Sequence, residues 1–430
     1  MFDCTKIYLK LITKSENRHS KCESIIAAFY YDFVNKTKHY VNFLHKDLTI
    51  DDTFDSFRKK LNDSNTKVYV NDKKKYKYWL NCELIDVNIF GFVDKNEVLE
   101  EVSSFCKDHL RSMYRNLNDF NLIVPYVIHQ ESFDKEVEEI KNLNLLETDS
   151  YCFKFFNNVI TDTLFEVEKN GIKIEEETFK SHFKAKTYDG YVYSSYHIYN
   201  PTGRPSNAYD NINYVALKKD DGSRSSFVSR FSDGHLMMVD FTGFHPYIVA
   251  NLIKYQVPDN ETIYEHLAKH YYNTDDITPE LMSKSKKLTM VNLYGQISDQ
   301  YINIEYFKKT EQLKTAYWNK FERDGYVTTP IYKRKITNKH ILDPNKNKLF
   351  AYIIQAAETE YGMDRLQACL KFTKGKEVLP ILYNYDAILF DVGDVDSNDI
   401  KDLIEIIKNK RFKVKVYKGN NYNDLKLVQI

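Results

Sequence analysis

HLMMVDFTGFHPYIVANLIKY (His235–Tyr255) begins as an apolar, strand-like segment, ends that segment in one acid, Asp240, and passes through Gly243 and Pro246 into a second apolar run. A carboxylate at the end of a buried strand is costly unless a cation or hydrogen-bond donors surround it, so Asp240 asks for a partner elsewhere in the chain. A second acid stands in a similar setting. LPILYNYDAILFDV (Leu379–Val392) has two apolar arms around NYD, the pattern of a tight β-hairpin with Asp386 at or near its tip. Two strand-end carboxylates at one sheet edge are able to share divalent cations, although an acid in this position also serves simply as a turn-former.

Between the two acids lies DITPELMSKSKKLTMVNLYGQIS (Asp276–Ser298). Thr278 suits an N-cap, Pro279 the first helical turn and Gly295 the helix end. Lys286, Met290 and Tyr294 recur every four residues and so share one helix face, a surface suited to a triphosphate below a base and sugar. An ordinary amphipathic helix with its lysines in water has the same spacing.

At 430 residues, 43% hydrophobic and 28% charged, the chain has room for two or three domains with substantial cores. No apolar stretch reaches membrane-span length and the N-terminal segment lacks a signal-peptide pattern, so the chain reads as intracellular, with no membrane partner and a cytoplasmic location. Six cysteines, at 4, 22, 82, 106, 152 and 369, form no CxxC pair, which argues for reduced thiols rather than a zinc site or disulfide framework. Lys and Arg (61) balance Asp and Glu (61), so any nucleic-acid surface has to be local.

The fold class is α/β and α+β in several domains. KIYLKLIT, SIIAAFYYDF, KHYVNFL and TKVYV predict strands in the first hundred residues, DDTFDSFRKKLND a helix, and KKKYKYWLN a basic amphipathic helix. NEVLEEVSSFCKDHLRSMYRNL, ESFDKEVEEIKNL and FFNNVITDTLFEVEKNGIKI predict helices, the last with Gly171 as C-cap. Strand-like and helix-like segments then alternate to the C-terminus.

The order and content of several segments from about residue 155 onward resemble the family A DNA polymerases, the DNA polymerase I class. TGRPSNAYDNINYVAL is similar to the TGR element, and HLMMVDFTGFHPYIVANLI to motif A, which assigns Asp240 and the Phe241 carbonyl as metal ligands. KSKKLTMVNLYG resembles motif B, with Lys286 as the triphosphate lysine, Met290 facing the nucleotide and Tyr294 near the templating base. GYVTTPIYKRKI is similar to the GYV element and its basic turn. AYIIQAAETEYGMDRL keeps a glutamine, Gln355, and YNYDAILFDV resembles motif C with Asp386 as second catalytic aspartate. Short patterns recur by chance, and the weight lies in their common order.

The resemblance implies a DNA-directed DNA polymerase, a nucleotidyltransferase that uses two Mg²⁺ ions (Mn²⁺ as substitute), dNTPs and a primer-template. Arg204, Lys333, Arg334, Lys335 and Gln355 would bind DNA, and His245 would face the nucleotide sugar. It also implies an architecture: an RNase H-like exonuclease-type domain at 1–100, a helical connector and reduced thumb at 101–187, and a palm and fingers at 188–430, with fingers at about 255–325.

The departures from the pattern are specific. His245 stands where a glutamate crowds the sugar 2′ position, Met282 where an arginine grips the triphosphate, Met290 for a bulky aromatic, and Tyr385 and Ala387 for the motif C histidine and glutamate. They point to a divergent, phage-type member. Between Gly171 and Thr202 there is little room for thumb helices, which implies a distributive enzyme served by a processivity or replisome partner. In the N-terminal region only Glu16, Asp72 and Asp86 are candidates for exonuclease acids, too few for two metals, so proofreading is not expected. The alternatives are a single-subunit RNA polymerase-like enzyme, which His245 keeps open, and a catalytically silent scaffold.

Overall fold

The computed structural model describes residues 4–14, 19, 21, 23–95, 124–142 and 150–429, arranged as two compact units, 1–162 and 163–430. The helix expected from NEVLEEVSSFCKDHLRSMYRNL and the acid Glu16 lie outside the described residues.

The first unit is built on five strands, β1 (Lys6–Thr13), β2 (Ile25–Asp32), β3 (Thr37–Asn42), β4 (Lys67–Val70) and β5 (Leu84–Asp86), in the order β3-β2-β1-β4-β5. β1, β2 and β3 pair antiparallel, whereas β4 runs parallel to β1 and β5 parallel to β4. β1 is buried along nearly its whole length, as expected of a central strand covered on both faces. Its one buried cation, Lys10, is held 2.5 Å from Glu136 on helix Tyr126–Lys141, and Tyr8 donates to the same carboxylate at 2.9 Å. Helix Phe54–Asn62 starts at Thr53, whose hydroxyl accepts from Ser56 N, and packs Phe57 and Leu61 on the sheet.

The KKKYKYWLN segment is helical only over Lys73–Tyr76. Beyond it the chain tightens, with Trp79 N bonded to Tyr76 O, and this turn carries Trp79 and Leu80 into the core. Asp72 caps this short helix by accepting from Lys75 N. Asp86 is buried and accepts from the backbone N–H groups of Lys73 and Asn88.

The second unit is organised around a five-stranded antiparallel sheet of β6 (His235–Thr242), β7 (Val378–Asn384), β8 (Ala387–Val392), β9 (Lys413–Gly419) and β10 (Lys426–Val428), in the order β7-β8-β6-β9-β10. The six helices the argument needs are α1 (Phe244–Leu252), α2 (Ile263–Tyr272), α3 (Pro279–Tyr294), α4 (Glu305–Asp324), α5 (Lys346–Thr373) and α6 (Ser397–Lys408). The predicted caps of α3 are in place: Thr278 accepts from Leu281 N, Pro279 opens the first turn and Gly295 follows the last residue. Gly362 of α5 lets β7 approach, since a Cβ there would lie 2.3 Å from the Tyr383 hydroxyl oxygen. Between Gly171 and Thr202 the one helix is Glu176–His182, seven residues long. No helix of the described residues is long and apolar enough to cross a membrane.

The join between β6 and α1 explains the glycine of the opening stretch. Gly243 has φ +65°, a left-handed conformation that turns the strand sharply into the helix, and a Cβ there would lie 2.9 Å from Ile263. Gly243→Ala is expected to cost about 1–2 kcal/mol, the penalty of a left-handed L-residue, read as a lower urea midpoint at unchanged m-value.

Candidate active site

The hairpin predicted around NYD forms, with β7 and β8 joined by the two residues Tyr385 and Asp386. Tyr385 takes φ +58°, at the first turn position that type II′ geometry gives to glycine. A tyrosine held there is strained, and the Arg204 guanidinium lies 3.7 Å from its ring centroid, packing the ring in place. Arg204 itself reaches the tip from just beyond the turn at Pro201 and Thr202.

Sheet pairing brings the two sequence-predicted acids together. Asp240 is opposite Ala387, and Phe241 N–H donates to the Asp386 carbonyl at 2.8 Å. Because the N–H and C=O of a strand residue share one side, the Phe241 carbonyl faces the same turn. Burial raises the Asp240 pKa to about 6, with the Asp386 charge the second cause, while Lys286, Lys415 and Lys219 pull it down. Asp386 keeps surface open to solvent at the hairpin tip. Even so, the protein packed around its carboxyl, followed by the charge of Glu358, raises its pKa as well.

That coupling has a pH signature. Asp240 has a folded pKa above its unfolded value, so the stability it contributes is complete below about pH 4 and is lost as pH rises through about 6. Asp386→Asn removes the second cause of the shift, and the stability loss of the second unit between pH 4 and 6 is expected to shrink. Urea midpoints measured across that range check this.

Lys286 stands exposed on α3, with Met290 and Tyr294 one and two turns on. Tyr264 of α2 places its hydroxyl 3.9 Å from the Met290 sulfur, and the charges of Asp386 and Asp240 raise its pKa after burial. The Tyr294 hydroxyl hydrogen-bonds His245 Nδ1. His245 Nε2 is 2.9 Å from Glu358 Oε1, and the Arg204 Nε lies 2.7 Å from Glu358 Oε2. The Nε2 contact lacks hydrogen-bond geometry, but a bare nitrogen lone pair that close to a carboxylate oxygen would be repelled, which favours a proton on Nε2 and leaves Nδ1 to accept from Tyr294. Burial also raises the Tyr294 pKa, so its hydroxyl keeps its proton.

Glu358, 1% exposed, is thus the hub that joins Arg204 to His245 and Tyr294, and the sequence reading did not single it out. Gln355 sits one turn before it on α5, partly buried; among the described residues no hydrogen bond joins its amide to Asp240 or Asp386.

The basic turn divides. Lys333 and Lys335 are exposed, the former with φ +63° and its ammonium on Pro330 O, the latter 5.6 Å from the Tyr326 ring centroid. Arg334, expected with them on nucleic acid, is 1% exposed and donates to Pro201 O at 2.7 Å, bracing the turn that carries Arg204. Glu360 fixes the other side of this turn, accepting from Thr329 Oγ1 and from the backbone of Ile331 and Tyr332. Met282 packs against Thr262 at the start of α2.

Among the described residues no cluster of three or more His, Cys, Asp or Glu side chains is arranged to hold a metal; the donors here are two carboxylates and a backbone carbonyl. Oxygen-only donors of this kind suit a hard divalent cation. After burial, the Asp386 charge is what raises the Asp240 pKa, so a cation between the two carboxylates would relieve that repulsion.

No protein-family model matches the sequence, and no curated protein matches it. The fold is similar to that of the POL domain of Pol1 from M. smegmatis, solved as a complex with DNA primer-template and dNTP. The TM-score is 0.71 at 13% identity, over 98% of this chain and 96% of that one. At that identity the likeness establishes the fold.

Proposed function

We propose that this chain is a template-directed DNA polymerase of the family A type, extending a primer 3′ end with dNTPs. The observation that carries the reading is the meeting of Asp240 and Asp386 at one sheet edge, each with a raised pKa, below a helix that presents Lys286, Met290 and Tyr294. The similarity to a domain solved with primer-template and dNTP supports it.

In this reading Asp240, Asp386 and the Phe241 carbonyl would hold two Mg²⁺ ions, with Mn²⁺ as a substitute. Such ions, when bound, lower the pKa of the primer 3′ hydroxyl and neutralise the departing pyrophosphate. Lys286 binds the triphosphate and adds positive charge where the leaving group develops negative charge. Arg204, Lys333, Lys335 and Gln355 contact the primer-template without reading sequence, which makes affinity salt-dependent. Arg334 acts indirectly, through the turn that it braces. His245 and Tyr294 form the wall beside the sugar.

The strand order and mixed pairing of the first unit support a domain of RNase H-like, exonuclease type. Asp72 and Asp86 accept from backbone N–H groups there, which supports the loss of proofreading. The seven-residue helix between Gly171 and Thr202 supports a reduced thumb and a processivity partner. A divergent phage-type enzyme acting in the cytoplasm is the setting that these features suit.

His245 in place of a glutamate favours one rival, a single-subunit RNA polymerase-like enzyme. Primer extension on a DNA template with dNTPs or rNTPs decides between them. Preferential dNTP use is expected, preferential rNTP use would establish the rival, and no incorporation of either would reject both in favour of a scaffold.

A further inference from the structure

We propose that Lys314 is a positioning residue that fixes the C-terminal end of α3 and, through it, Tyr294. Lys314 lies on α4 and is 0% exposed. Its ammonium donates to Gly295 O at 2.8 Å and Asn292 O at 3.2 Å, with Asn347 Oδ1 at 3.4 Å and the Phe350 ring centroid at 5.4 Å.

The last carbonyls of a helix lack intrahelical partners, and a left-handed glycine after the helix often satisfies them. Gly295 does not take that conformation: its φ is −101° and its ψ −164°, so the chain leaves α3 extended. The buried ammonium takes over one of these carbonyls, Asn292 O, together with the Gly295 O that follows the helix, and its charge is well placed against the helix dipole. Tyr294 sits between the two clamped carbonyls, and its hydroxyl is the group bonded to His245. The clamp therefore acts on the wall beside the sugar, a role that rests on the polymerase reading, whereas the clamp itself does not.

Burial lowers the Lys314 pKa to about 8; Glu311 on the same helix raises it and Lys346 of α5 lowers it, and those two also pair with each other. Deprotonation removes the charge and one donor, loosening the end of α3. Global stability moves differently. With the folded pKa below the ordinary 10.5, the unfolded state binds more protons above pH 8, so this group does not lower stability as pH rises. A local loosening without global loss is the signature of the clamp.

Hydrogen exchange of the amides from about residue 290 to 298, corrected for intrinsic rates, tests it. Lys314→Met is expected to lower protection about tenfold in the last turn of α3 while β6 and β8 amides hold. Wild-type protection at the same amides should fall between about pH 7 and pH 9, around the lysine pKa of about 8, and the Met variant should lose that dependence. Unchanged protection in Lys314→Met would overturn the proposal. Should that variant fail to fold, Lys314→Gln, which removes the charge, is read at the same amides, and unchanged protection there would overturn the proposal. In primer extension the variant is expected to raise the dNTP KM without changing primer-template affinity. An inactive wild type would reject the polymerase reading and leave the exchange result standing.

Discussion

Asp386→Asn is expected to lower primer extension on the order of 10³-fold while primer-template affinity stays near wild type. The substitution removes one of two carboxylates at the point where metal-bound charge is needed. It leaves in place the Asp386 backbone carbonyl that accepts from Phe241 N–H, so the hairpin is retained. The folded protein is expected to gain stability, because the Asp386 carboxyl is desolvated and faces the charge of Glu358 and because its own charge raises the Asp240 pKa. Rapid-quench single-turnover assays, an equilibrium DNA titration and a urea melt together separate these effects. A variant that is inactive and also markedly destabilised would move the role of Asp386 from chemistry to folding.

Glu358→Leu is expected to cost about 3–5 kcal/mol, the usual price of leaving the other members of a buried charge network unpaired. Glu358 is 1% exposed, and its loss strands Arg204 and His245 together. Glu358→Gln keeps an acceptor for His245 Nε2–H and should cost only about 1–2 kcal/mol. The functional consequence runs through the imidazole. Without an acceptor at Nε2, His245 is free to place its proton on Nδ1, and Tyr294 then loses the acceptor of its hydroxyl. The ratio of kcat/KM for dNTP over rNTP is therefore expected to fall about tenfold in the Leu variant and less in the Gln variant. Equal stability and an equal ratio in Glu358→Leu would show that the carboxylate positions neither side chain.

Much of the second unit was legible in the sequence because it rests on strong local rules. Two apolar arms around NYD mark the hairpin, Thr278 with Pro279 marks the start of α3, and four-residue spacing puts Lys286, Met290 and Tyr294 on one face. The missed hub had a signal of the same kind as the opening one. Glu358 and Glu360 interrupt a stretch of α5 that is otherwise mostly apolar and buried, and a buried acid asks for partners there as Asp240 does at its strand end. Arg334 is buried, although KRK has the pattern of a solvated basic turn. It leads into a strand, where alternate side chains face opposite ways, so the middle residue turns inward between two exposed lysines. The brevity of the helix at Lys73–Tyr76 was not readable locally, since it depends on Trp79 and Leu80 reaching a core assembled from distant strands.

Single-nucleotide insertion with the templating base varied tests the central claim most directly. With Mg²⁺ and each dNTP in turn, the wild-type chain should extend a primer only with the complementary nucleotide, and Asp386→Asn should lose that extension. Insertion that ignores the templating base, or that survives in Asp386→Asn, would contradict the account.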